Sequence, residues 1–187
     1  KQIVAKINAL KSVEMRLESV NGLRNNLIIN DSFNLDLDSL KIAYQFIKEY
    51  NKPRNTLILT DFVEGKNSQQ LYRKVVDITN QQNFSKIILI GEEIIHYQKD
   101  FKGETYTFNN VDELIVNHLI NQIENELILL KGARKFEIEK VKDHLELQKH
   151  DTVLEVNLNA ILHNINVHKA LLKPETKMMA MVKAYSY

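Results

Sequence analysis

The chain has 187 residues, 44% of them apolar and 26% charged, with five glycines and two prolines. That balance is enough to bury a core, and it excludes a disordered or collagen-like chain. The 25 basic and 24 acidic residues leave a net charge of +1, which argues against nucleic acid as a main partner, and the lack of cysteine excludes disulfides and thiolate zinc sites.

No apolar run approaches the roughly 20 residues that span a bilayer, so no membrane insertion is expected. The start, Lys1-Gln2-Ile3-Val4, lacks the form of a signal peptide. A cysteine-free chain without a leader fits a reducing cytoplasm, and a cytoplasmic location is expected.

Residues 1–11 place Ile3, Val4, Ile7 and Leu10 on one helical face and read as the end of a helix from an upstream domain. Residues 15–20 alternate as a short strand. Asn21-Gly22 is a turn signal of hairpin type. Leu27-Ile28-Ile29 is a compact strand running into Asn30-Asp31-Ser32. Asp36 or Asp38 then caps a helix with Leu40, Ala43, Tyr44 and Ile47 on its apolar face.

Pro53 breaks the chain before the strand Thr56-Leu57-Ile58-Leu59, which ends at Thr60-Asp61. A loop with Gly65 leads to Ser68, which caps a helix through Leu71, Val75 and Ile78. Lys86-Ile87-Ile88-Leu89-Ile90-Gly91 is the next buried strand. A helix near 92–98, a weak strand at 105–108 and a helix over 111–124 follow. The last strand, Glu126-Leu127-Ile128-Leu129-Leu130, runs at once into Lys131-Gly132-Ala133-Arg134 and a helix through Ile138, Val141 and Leu145.

Strands and helices thus alternate as βαβ units. The strands are continuous apolar runs, which predicts a mostly parallel, Rossmann-like α/β sheet with helices on both faces. In such sheets functional loops lie at the strands' carboxyl ends. That rule selects residues 30–34, 60–65, 91–93 and 131–134. Near 148–152 the pattern restarts. A strand over 153–158, a helix over 159–172, a break at Pro174 and a buried strand over 177–182 follow.

Each candidate motif also has an ordinary reading. Residues Asp31 to Ser39 could accept ribose hydroxyls at a helix start, but on spacing alone a capping cluster is preferred. Lys131 and Arg134, around a turn permitted by Gly132, suit an anionic substrate, yet a solvated turn explains them too. Asp61 and Glu64 could pair, though a solvated loop is the better reading. His118 falls on an apolar face and reads as a core or boundary residue. Lys183, after an apolar run, would be a desolvated, imine-forming amine, or an ordinary lysine past a strand. The six histidines form no metal set, and no GxxxxGK[ST] phosphate loop occurs.

Taken in order, Arg16-Leu17-Glu18, Gly22, Asn30-Asp31-Ser32-Phe33-Asn34, Leu57 to Asp61 and Leu130-Lys131-Gly132-Ala133-Arg134 resemble the C-terminal domain of the Mur ligases. The nearest branch adds D-alanyl-D-alanine to UDP-N-acetylmuramoyl-tripeptide. The resemblance implies three segments: 1–11 as the end of the ligase central domain, 12–148 as its C-terminal domain, and 149–187 as something else. It further implies that Arg16, Asp31 and Asn34 serve ATP, and that Lys131, Gly132 and Arg134 face the substrate. Mg2+ ligands and the phosphate loop would lie in other domains. The usual Asn-Ala-Asn-Pro reads Asn34-Leu35-Asp36-Leu37 here, and the usual Gly-Asp-Met reads Thr60-Asp61-Phe62.

Residues 154–164 and 177–187 resemble the opening of alanine racemase, a barrel enzyme that uses pyridoxal 5'-phosphate. That resemblance implies the first β-α-β piece of a TIM barrel over 149–187, with Lys183 as the catalytic lysine that binds the cofactor and Tyr187 near its phosphate. Together the two resemblances imply part of a bifunctional ligase–racemase of peptidoglycan precursor synthesis, acting on alanine as well and dimerising through the racemase. The isolated chain is expected to have neither activity. The alternative is a ligase-like scaffold without catalysis that supports the racemase.

Overall fold

The computed structural model describes residues 15–63, 68–147 and 156–179. The chain divides into two compact units, Lys1–Gln148 and Lys149–Tyr187.

The first unit is built on six strands: β1 (Glu18–Asn21), β2 (Leu27–Asp31), β3 (Arg54–Thr60), β4 (Lys86–Ile90), β5 (Glu104–Phe108) and β6 (Glu126–Lys131). Their order across the sheet is β1-β2-β6-β3-β4-β5. β1 runs antiparallel to β2, and the other neighbours are parallel. The α-helices are α1 (Leu37–Phe46), α2 (Ser68–Thr79), α3 (Val111–Val116) and α4 (Glu139–Leu145).

Alternation along the central strands divides the core. Ile29, Leu57, Leu59, Leu89, Leu127 and Leu129 pack with α1 and α2 through Leu40, Ala43, Tyr44, Tyr72 and Val75. Ile28, Ile58, Ile88, Ile128 and Leu130 pack on the opposite face with Leu114, Val141 and Leu145. Each fully buried aliphatic side chain contributes about 1.5–3 kcal/mol relative to exposure. A sheet covered on both faces is what the unbroken apolar strands require.

Several local expectations change. The reversal between β1 and β2 is a 3-10 turn, Leu23–Asn25, with Arg24 and Asn25 at φ 54° and 58°, not a two-residue turn at Asn21-Gly22. Gly22 is extended at φ −95°. Its lack of a side chain matters because a Cβ would lie 3.0 Å from Ile28 Cδ1. β1 starts later than expected, since Met15 and Leu17 adopt left-handed φ of 61° and 49°. The segment Ile94–Asp100 is a 3-10 stretch.

The helix expected over 111–124 stops at Val116. Asn117 turns extended, and its Oδ1 accepts from Leu119 N at 2.9 Å, so a side chain replaces the next helical turn. His118 is consequently exposed, not a core or boundary residue.

In the second unit α5 (Leu158–Ala170) starts at Asn157, whose side chain accepts from Ala160 N at 3.1 Å. Residues 176–179 are irregular where a strand was expected, and 156–157 are irregular too. Leu158, expected to end the first strand, opens α5 instead, and residues 153–155, 180–182 and 1–11 lie outside the described residues.

Between the two possible caps of α1, Asp36 is the one used. Its Oδ1 accepts from Ser39 N at 2.8 Å and Asp38 N at 3.0 Å, and Asp36 N in turn donates to Ser39 Oγ at 3.1 Å. The Ser39 amide bond, with further bonds from Ser39 Oγ and the Asp38 amide, holds the Asp36 carboxyl below its ordinary 3.8. Asp36→Ala is expected to cost about 1 kcal/mol near neutral pH. A depressed folded-state pKa gives stability that is present above the unfolded value and lost as pH falls. The difference between the two proteins should therefore shrink below about pH 4, measured by urea unfolding from pH 7 to pH 3.

Candidate functional site

Because β2, β3, β4 and β6 are parallel, their carboxyl ends share one edge of the sheet. β2 delivers Asp31, Ser32, Phe33 and Asn34 there, and β6 delivers Lys131, Gly132, Ala133 and Arg134. β3 adds Thr60 and Asp61, and β4 adds Gly91.

Asp31 and Lys131 are register partners on adjacent strands. Side chains opposite one another in a ladder project from the same face. Lys131 Nζ donates to Asp31 Oδ2 at 2.6 Å and to the Asn34 carbonyl at 2.7 Å. Lys131 is fully buried, and Asp31 is 9% exposed. A buried ammonium needs such partners, since desolvating an unpaired charge costs several kcal/mol.

Arg16 lies over Phe33, its guanidinium carbon 4.4 Å from the ring centroid. It is presented from between the left-handed residues Met15 and Leu17. The Phe33 amide also donates to the Met15 carbonyl at 3.2 Å. Phe33 and Asn34 separate two clefts. One, about 350 Å³, is lined by Arg16, Leu17, Asp31, Phe33, Asn34 and Ser39, among others. The second, about 640 Å³, lies between Phe33, Asn34, Phe62, Leu71, Arg134 and Lys135. The Asn34 side chain turns towards the helix cap, its Nδ2 donating to Asp36 Oδ2 at 2.9 Å.

Gly132 has a steric role here. A Cβ would lie 2.8 Å from Thr60 Cγ2 and 3.1 Å from Ile138 Cγ2. The close approach lets Ala133 N donate to Thr60 Oγ1 at 3.1 Å, which fastens the loop after β6 to the end of β3.

Asp61 is a buried anchor, not part of a solvated loop. It accepts from the amides of Glu92, Glu93 and Ile94 at 2.8, 3.0 and 2.7 Å, and from Tyr72 Oη at 2.9 Å. These bonds gather the chain leaving β4. Gly91, at φ +140°, permits that turn, and a Cβ there would lie 2.3 Å from Asp61 Oδ2. Burial, and then the Asp61 carboxylate, raise the Tyr72 pKa well above the ordinary phenol range, so the phenol remains a donor. Glu64 lies outside the described residues.

The edge thus brings Arg16, Asp31, Asn34, Lys131 and Arg134 together, with Gly132 supplying room. Lys183 and Tyr187 lie outside the described residues. Sequence reasoning missed the wall formed by Phe33, the internal use of Lys131 and the anchoring by Asp61. The aromatic after Asp31-Ser32 was the available signal for the first. Strand pairing was needed for the second. Among the described residues no group of three or more His, Cys, Asp or Glu is arranged to hold a metal ion.

No family model matches the chain. It is 30% identical over 129 residues to the UDP-N-acetylmuramoyl-tripeptide–D-alanyl-D-alanine ligase of Rickettsia prowazekii, covering 67% of this chain and 28% of that protein. The ligase of the same name from Haemophilus influenzae is 28% identical over 147 residues, covering 74% and 31%. The chain is homologous to the C-terminal region of these ligases. It spans less than a third of their length.

Solved structures agree on the fold. MurF from Acinetobacter baumannii superposes with a TM-score of 0.65 at 20% identity, covering 75% of this chain and 32% of that one. MurF from Thermotoga maritima, in complex with ADP, gives 0.59 at 13% identity, covering 76% and 35%. A match of 129 residues is longer than the second unit, Lys149–Tyr187, so the homology extends into the first unit, whose strand-end edge carries the candidate site.

Within this domain Asp61 is expected to be a major local support. Asp61→Ala strips three amides and a phenol of their acceptor and should cost about 3 kcal/mol or more in urea unfolding. Asp61→Asn, which keeps one acceptor oxygen, should cost less. A loss below about 1 kcal/mol for the alanine variant would mean that water replaces the carboxylate freely.

Proposed function

We propose that this chain supplies the C-terminal, closing part of a ligase that uses ATP to join D-alanyl-D-alanine to UDP-N-acetylmuramoyl-tripeptide. The observation that carries the reading is the gathering of Arg16, Asp31 and Asn34 around one cleft, with Arg134 lining the next, at the carboxyl edge of a domain homologous to such ligases.

The residues present suit a nucleotide. Asp31 Oδ2 is taken by Lys131, which leaves its other oxygen to accept from a ribose hydroxyl. The Phe33 ring and the Arg16 guanidinium offer a flat, cationic flank beside it. Arg134 and Lys135, exposed on the second cleft, suit the carboxylates of the peptide substrate, and Phe62, Val63 and Leu71 offer apolar contact for its methyl groups. The domain's contribution is binding and orientation: holding two substrates at fixed geometry removes entropy from the barrier. ATP and Mg2+ supply phosphoryl-transfer chemistry when bound, and the phosphate loop is to be sought in other domains.

The departures Leu35 and Leu37 have a packing explanation. Leu35 is buried in the α1–α2 core, and Leu37 packs against it. Both serve the fold of the helix start and leave Asp31 and Asn34 in place.

For residues 149–187 we propose the start of an alanine racemase. Its sequence resemblance around Leu154 to Asn164 and Lys177 to Tyr187 supports this reading. The residues that would meet pyridoxal 5'-phosphate, Lys183 and Tyr187, lie outside the described residues, so the reading rests on sequence. The pairing is chemically coherent: a racemase makes the D-alanine from which the ligase's dipeptide substrate is built.

The test follows phosphate release from ATP by the full-length protein carrying this chain, given UDP-N-acetylmuramoyl-tripeptide with and without D-alanyl-D-alanine. Release that requires the dipeptide is expected. Its absence, in protein that still racemises alanine, would overturn the ligase reading and favour a scaffold. The 187-residue chain alone is expected to release no phosphate and to racemise no alanine; turnover of either kind would refute that part.

A further inference from the structure

The two cations of Lys131-Gly132-Ala133-Arg134 do different things. Arg134 is exposed and lines the larger cleft. Lys131 is fully buried, and its ammonium donates inward, to Asp31 Oδ2 at 2.6 Å and to the Asn34 carbonyl at 2.7 Å. An ammonium has three protons to donate. Two are directed at the chain leaving β2, one to its last residue and one to a carbonyl three residues on. Lys131 therefore ties the end of β6 to both ends of the Asp31–Asn34 turn.

We propose that Lys131 is a positioning residue for the nucleotide half of the site and makes no contact with the peptide substrate. By occupying Oδ2 it fixes the Asp31 carboxylate, so that one defined oxygen meets the ribose. By holding the Asn34 carbonyl it fixes the Phe33–Asn34 wall between the two clefts. Arg134 alone of the pair then meets substrate. This inference rests on the ligase reading above.

Direct contact with the peptide substrate is excluded on three grounds. The side chain is only 1% exposed, and what it shows lines the smaller cleft beside Asp31, not the larger cleft that Arg134 lines. Its register partner is Asp31, so both project from the same face of the sheet and the lysine folds back along it. Moving the ammonium to solvent would also leave the Asp31 carboxylate, itself largely buried, without its cation.

The experiment uses the full-length protein, with ATP, 2',3'-dideoxy-ATP and UDP-N-acetylmuramoyl-tripeptide as probes. The unaltered protein is expected to use the dideoxy nucleotide at least about tenfold less well, because a site built to bond a hydroxyl rejects its absence. Lys131→Met should raise KM for ATP by about tenfold and bring the ATP to dideoxy-ATP preference close to one, with KM for the tripeptide unchanged.

Asp31→Asn should give the same pattern. The double variant Asp31→Asn/Lys131→Met should be no worse than either single change, as for groups that act as a unit. The double variant removes both buried charges, so it also provides the reading if Lys131→Met fails to fold. General loss of folded protein would lower kcat and leave the nucleotide preference intact. A raised KM for the tripeptide with the preference retained would overturn the inference and make Lys131 a substrate contact. Turnover without ribose preference in the unaltered protein would overturn it while sparing the ligase reading. No ATP-dependent turnover in the unaltered protein would sink both.

Discussion

A charge buried at the end of a strand has to be matched by what the neighbouring strand provides, and the Asp31–Lys131 pair meets that constraint. The two residues are aligned across the β2–β6 ladder, although 100 residues separate them in sequence. The alignment depends on every crossover between them. β3, β4 and β5 lie on the far side of β6, so the chain passes through all three before it returns to lie beside β2. A one-residue slip of β6 would move Lys131 to the opposite face, where Ile138, Val141 and Leu145 pack, and would leave both charges unpaired. The pair adds little net stability by itself, since desolvation offsets most of its attraction. Its effect is to make one register far better than its neighbours.

The same edge is held by groups that are satisfied within the protein. Asp61 collects three amides and a phenol. Thr60 Oγ1 accepts from the amide of Ala133. The glycines allow this closeness: Gly91 adopts a φ that other residues rarely adopt, and Gly132 leaves no Cβ to strike Thr60. Loops made rigid in this way can hold Arg134 and the Phe33 wall at fixed places. A site whose supports were left to solvent would have to order them when the ligand binds, at a cost in conformational entropy.

The layered fold was legible in the sequence because unbroken apolar strands such as Leu127 to Leu130 have only one stable setting, between two layers of helix. The site was legible as residues but not as bonds. Asp31 and Lys131 were both marked, one for a nucleotide and one for a peptide, because nothing in the linear order says that β6 lies next to β2. Asp61 was read as solvated for the same reason: its partners are amides at 92–94, and backbone amides leave no trace in composition. The helix over 111–124 failed differently. Its apolar spacing continues past Val116, but the Asn117 side chain captures the Leu119 amide and ends the helix locally. His118 lost its expected burial with it.

Position along the chain explains how one short motif sets its two cations in opposite surroundings, one buried and one exposed. Lys131 is the last residue of β6, so its side chain obeys the alternation of the strand and points into the layer shared with Asp31. Gly132 ends that obligation by allowing the chain to press against Thr60 and turn away. Arg134, in the 3-10 turn that follows, is free of the ladder and exposed. A lysine suits the first place, since a slim stem can be buried and a compact ammonium can serve two oxygens at once. An arginine suits the second, since its planar fork remains charged and can meet a carboxylate with two bonds. Exchanging the two residue types would place a bulky fork where the core leaves no room and a point charge on the open cleft, so packing alone favours the order Lys before Arg, and the proposed role of Arg134 accords with it.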